Sequence, residues 1–168
     1  MLDLSRRGLL GQHLRITHCL SQLSDAQVWW RPRPELNAIG NLLLHLRGNL
    51  GQWIVAGAGG RPFQRDRPAE FAEKGSIGRA DAEAMLSEMV NESADVLASI
   101  PAESLLDRRR VQGHETTILG AILHATRHFE GHAQEIILLT RLQLGEAYRF
   151  LWVPETPEEI SGASSASP

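Results

Sequence analysis

Histidine recurs at every fourth position in HATRHFEGHAQEII, residues 124–137, as His124, His128 and His132. On an α-helix, residues four apart differ by about 40° around the axis and about 6 Å along it, so two neighbours can reach one metal ion. A third histidine, about 12 Å from the first, lies too far away to join the same tetrahedral site. The usable pair is therefore His124/His128 or His128/His132. Imidazole nitrogens are natural ligands for zinc-like cations, and such an ion with an open position makes a nucleophile of bound water at neutral pH.

The apolar stripe orients the pair. With His128 at the origin of a helical wheel, Ala121 and Leu139 fall at about +20°, His132 at about +40°, Ala125 at about +60°, and Ile118 and Ile136 at about +80°. His124 falls at about −40°, towards the margin. His128 and His132 thus face the interior of whatever this helix packs into, and Gly131 leaves space beside them for a neighbouring helix or a ligand. Glu135, at about −20°, shares that face. It could be a carboxylate ligand, a general base or an acceptor that orients an imidazole, or simply the partner of a basic side chain.

A catalytic zinc-like ion usually takes three protein ligands. The best donor elsewhere is His45, flanked by leucines in NLLLHLRGN and lying at the edge of its helix's apolar stripe. A buried histidine can equally be a hydrogen-bonded core residue, and that alternative stays open. His13 and His18, on different faces of one helix, and His114, in a loop, carry no expected site role.

These residues need a scaffold, and four long segments have helical period. The first runs from about Leu4 to Leu23 and yields to SDAQVWWRPRP, where Pro32 and Pro34 forbid continuation. The second starts at Asn37 as N-cap and reaches the glycines at 57, 59 and 60. The third spans about Arg79 to Ile100 and stops at Pro101. The fourth begins at Thr116 or Thr117, after the loop LLDRRRVQGHE, and ends at Gly145. No stretch alternates with the period of a strand. The connection GGRPFQRDRPAEFAEKGSIG between the second and third helices is long enough to cover a site or span a bundle. The expected fold is all-α: a four-helix bundle over residues 1–150, followed by a low-complexity tail, 151–168; the apolar residues that open the stretch EAYRFLWV after Gly145 could pack on the bundle.

Composition narrows the function classes. A chain of 168 residues that is 42% apolar and 22% charged is globular. Its net charge of −3 argues against nucleic acid as a partner, and Arg65, Arg67 and the run Arg108-Arg109-Arg110 read as solvated loop charge. The single cysteine, Cys19, leaves no disulfide framework. The opening MLDLSRRGLLGQHLR lacks the apolar core of a signal peptide, and no stretch suits a membrane span, so a cytoplasmic protein without a membrane partner is expected.

The segment WWRPRPELNAIGNLLLHLRGNLGQWI, with HATRHFEGHAQEIILLTR far downstream, resembles the DinB-like (YfiT-like) superfamily of metal-dependent proteins. The resemblance covers roughly residues 1 to 145. It implies a bundle with long crossover connections and one divalent ion, zinc or nickel, held by His45, His128 and His132. His124 is an addition to the family pattern, and Glu135 stands where an apolar residue is commoner. The resemblance further implies a low-molecular-weight thiol as co-substrate, a small-molecule substrate and a homodimer. Arg47 and Arg127 could attract an anionic thiol or form surface ion pairs; Trp53 and the Trp29-Trp30 pair could wall the site or pack the core. Two functions fit: a metal-dependent enzyme of S-transferase or hydrolase type that activates a thiol or water, with Glu135 as a catalytic candidate, or a non-enzymatic metal-binding or stress-response bundle acting through a dimer surface.

Overall fold

In a computed structural model, which describes residues 1–153, the chain is an all-α bundle. The long helices are α1 (Leu2–Leu20), α3 (Ile39–Leu50), α5 (Arg79–Ser99) and α6 (Ile118–Leu144), with short α2 (Asp25–Val28) and α4 (Arg67–Ala72) in the connections. α1 packs between α5 and α6, and α3 packs between the same two on the opposite side. Helices α1 and α3 are thus diagonal, as are α5 and α6, so both connections joining diagonal pairs cross an end of the bundle.

Three helices begin at a residue whose side chain caps them. Ser24 opens α2 by accepting from the Gln27 N–H while the Gln27 side chain accepts from the Ser24 N–H. Asp66 caps α4 by accepting from the Ala69 N–H, and Thr117 caps α6 by accepting from the Gly120 N–H. Gly145 ends α6 at φ +54°, a conformation that costs glycine little. The expected N-cap at Asn37 is displaced by one residue. Ala38 holds that place, and its N–H donates to the side chain of Asn41, which lies in the helix's first turn.

Helix α3 is buried on nearly all sides, because α5 and α6 cover its inner face and α4 lies across the outer one. It continues as a π-helical stretch, Gly51–Ala58. On α6 the buried residues Ile118, Ala121, Ala125, Ile136 and Leu139 trace the stripe read from the sequence.

The segment read as the loop LLDRRRVQGHE is different. Strands β1 (Arg108–Val111) and β2 (His114–Thr117) form an antiparallel hairpin through Gln112 and Gly113, both at positive φ. Three consecutive arginines on a mostly exposed ribbon give no apolar alternation, so the period carried no signal. Val111 anchors the hairpin, buried against Gly57. Beyond α6, Tyr148 packs partly against the core while Phe150, Leu151 and Trp152 stay exposed. The rest of the expected tail, 154–168, lies outside the described residues. Among the described residues, no helix is long and apolar enough to cross a membrane.

Candidate metal centre

His45 comes from the middle of α3, and His128 and His132 from successive turns of α6. One ring nitrogen from each lies within 4.8 Å of the other two. His45 Nε2 and His128 Nε2 are 2.9 Å apart, and the His128 and His132 ring centroids are 4.5 Å apart. His124 is turned elsewhere: its ring stacks on Trp53 at 3.8 Å, and Trp53 is itself buried. Among the described residues, the cluster of close ring nitrogens thus takes in His128 and His132 and leaves His124 out.

Two of the three imidazoles are oriented by carboxylates. His132 Nδ1 lies 2.8 Å from Glu135 Oε2, one turn along α6, leaving Nε2 to meet an ion. Of the roles open to Glu135, this geometry supports orientation of an imidazole. His45 Nδ1 lies 3.0 Å from Glu70 Oε2 and also 3.0 Å from Arg65 Nη2. A carboxylate can only accept and a guanidinium only donate, so Nδ1 can bond just one of the two. Arg65 Nη2 already donates to Glu70 Oε2 at 2.8 Å, which leaves Nδ1 to carry the proton and donate to Glu70. The lone pair of His45 is then on Nε2, pointing at the centre. That is the tautomer a metal ligand needs.

Glu70 is buried and anchored in turn. Arg65 donates to it twice, from Nε to Oε1 at 2.6 Å and from Nη2 to Oε2 at 2.8 Å, and donates from Nη1 to Gln52 Oε1 at 2.9 Å. Burial opposes ionisation of Glu70, but the hydrogen bonds from Arg65 and His45 prevail and hold its carboxyl below the ordinary value. For His128, burial combined with the neighbouring imidazoles and Arg65 pushes the imidazole down to about 4. It is therefore unprotonated at neutral pH, as a ligand must be.

Several expectations change here. Arg65 is no solvated loop charge: its side chain is 6% exposed and paired with Glu70. His45, read at the edge of its helix's apolar stripe, is only 6% exposed, because the connection carrying Arg65, Glu70 and Phe71 folds over it. Gly131 faces open space, with nothing among the described residues within 4 Å of where a Cβ would stand. Arg47 borders a separate cavity beneath the connection, while Arg127 flanks His124 and His128; neither forms an ion pair among the described residues. Trp29 packs against Gly40 and donates to the Ile77 carbonyl, and Trp30 is exposed, so of these tryptophans only Trp53 adjoins the histidines. His13 bonds Ser87 and His18 bonds the Arg149 carbonyl. His114 opens β2 and lines the cleft above the site.

Sequence reasoning missed Glu70. Its usable signal was the glycine three residues after His45. A Cβ on Gly48 would collide with Glu70 Oε1 and come within 2.7 Å of Arg65 Nε. Asn41 adds a second clamp, donating through Nδ2 to the carbonyls of Glu70 and Glu73.

The donor set fits a divalent ion of the zinc or nickel kind: three imidazoles, no thiolate, and two outer nitrogens tied to carboxylates. His45 and His128 also line an open cleft, which leaves room for a further ligand.

The bundle is similar to the crystal structure of a conserved protein from Enterococcus faecalis, with a TM-score of 0.72 over 86% of this chain and 98% of that one, at 20% identity. That likeness concerns the fold. No curated protein matches this sequence. A family profile described as a protein of unknown function (DUF1572) matches residues 2–157, and the chain belongs to that family.

Proposed function

We propose that this protein is a DinB-like metal-dependent enzyme in which His45, His128 and His132 hold one zinc- or nickel-like ion and activate a thiol or water for attack on a small molecule. The observation that carries this reading is the convergence of three imidazole nitrogens beside an open cleft. A bound ion of this kind lowers the pKa of a water or thiol enough to supply a nucleophile at neutral pH. The chain's own contribution is positional. Glu70 and Glu135 fix the tautomers of His45 and His132, and the buried Arg65 holds Glu70 ionised. S-transfer is favoured over hydrolysis by the family resemblance alone. The open cleft favours an enzyme over a purely structural metal site, which closes its coordination with protein ligands.

A homodimer belongs to the same proposal. Its surface would be the shallow groove between α1 and α6 that the exposed Leu4 and Leu123 line.

The test uses untagged protein, elemental mass spectrometry, and titration with zinc and with nickel. About one equivalent of metal is expected, with affinity lost in His45→Ala and in His128→Ala. Failure of the wild type to take up either metal overturns the reading; unchanged affinity in the variants overturns the ligand assignment.

A further inference from the structure

Above the three histidines lies a cleft of ≈ 480 Å³ whose lining is chemically one-sided. It contains Arg65, Arg67, Asn49, Gln112 and the histidines 45, 114, 124 and 128, with no aspartate or glutamate. Its size suits a small molecule, for which pockets run from about 300 to 1,000 Å³.

The two arginines differ. Arg65 is committed to Glu70 and Gln52. Arg67 is exposed and forms no ion pair among the described residues. Its guanidinium sits 5.2 Å from the Phe71 ring centroid, and that ring lies 5.0 Å from the His45 ring. Phe71 is thus the one ring between this cation and His45 of the candidate metal centre. Across the cleft, the β-hairpin supplies Gln112 and His114, and the Gln112 amide is fixed by donating to Gln52 Oε1. Deeper in, Asn49 is 4% exposed and its Oδ1 has no hydrogen-bond partner among the described residues. A buried acceptor left unpaired is costly, and a donor on a bound molecule would satisfy it.

We infer that the substrate or co-substrate carries an anionic oxyacid group, carboxylate or phosphoryl, bound by Arg67 at the cleft mouth with Gln112 and His114 beside it. Its reacting end, bearing a hydrogen-bond donor, lies inward near Asn49 and His128. This inference names the ligand class for the site proposed above and rests on that reading for what happens at the inner end. Guanidinium is the side chain best matched to either oxyacid, through paired N–H donors.

The experiment is an NMR titration of the full chain, with and without zinc, using propionate, methylphosphonate and the neutral propionamide as probes. Both anions, or one of them, should bind at least about tenfold tighter than propionamide, and Arg67→Gln should remove about tenfold of that affinity. Preference between propionate and methylphosphonate identifies the oxyacid. Zinc stoichiometry and affinity should be the same in Arg67→Gln as in wild type. Equal affinity for charged and neutral probes overturns the inference. So does anion binding that Arg67→Gln leaves intact, since that reports capture elsewhere in the cleft. If zinc fails to bind, the enzymatic reading falls separately, and titration of the metal-free protein still decides the role of Arg67.

Discussion

Glu70 Oε2 lies 3.0 Å from His45 Nδ1 although 25 positions separate the two residues, and both side chains are buried. The contact turns the long connection between α3 and α5 into part of the candidate site. Replacing Glu70 by Gln keeps the volume but removes the charge that fixes the His45 tautomer, and it leaves Arg65 buried without its counter-ion. Zinc affinity should fall by about 10- to 100-fold. Competition with a chromogenic chelator reads it directly; an affinity equal to wild type would mean that His45 is oriented without Glu70.

Gly48→Ala tests the same contact from the backbone side. The new methyl would occupy the space of Glu70 Oε1, while α3 itself gains helix propensity. We expect the helical circular dichroism to persist and zinc affinity to drop towards the Glu70→Gln value. A folded variant with wild-type zinc affinity would instead mark Gly48 as a packing residue only.

The register of the histidine stripe is separable by substitution. His132→Ala should abolish tight zinc binding, whereas His124→Ala should leave it nearly intact and alter the fluorescence of Trp53, on which His124 stacks. The opposite pattern would assign His124 and His128 as the pair.

Glu73 makes a pH prediction. Its carboxylate accepts from the Ser76 hydroxyl and from the backbone N–H groups of Ser76, Gly75 and Lys74, which hold its pKa down to about 2. A lowered folded-state value means that the stabilisation is fully present above the ordinary 4.5 and is lost as pH falls through about 2. Thermal melts should show Glu73→Gln less stable than wild type at neutral pH, with the gap closing on acidification below about 4.5. A pH-independent gap would show that the ionised form is not what matters.

Sedimentation tests the groove between α1 and α6. Wild type should sediment as a dimer and the double substitution Leu4→Glu, Leu123→Glu as a folded monomer. A monomeric wild type would remove the dimer from the proposal.

The helical scaffold was legible because burial imposes a period. Leucine, isoleucine and alanine recur along α1, α3, α5 and α6 at the spacing of one buried face, and Pro32, Pro34, Pro101 and Gly145 punctuate them. The His128/His132 spacing was legible for the same reason. The hairpin of β1 and β2 was not, since ladder hydrogen bonds between mostly exposed polar residues leave no periodic trace.

By itself, then, the sequence determined which long segments are helices and which faces they bury, since both follow from local propensity and the 3.6-residue repeat, while the short α2 and α4 inside the connections left no such repeat. Only the tertiary structure decided which polar groups meet. It placed Arg65 and Glu70 on His45, sent His124 to Trp53, and brought Gln112 and His114 over the cleft. Those choices depend on how a connection folds across a helix and on which side a hairpin lands. They are contacts between residues far apart in the chain, and a hydrophobic period encodes a residue's own face but not its partner's address.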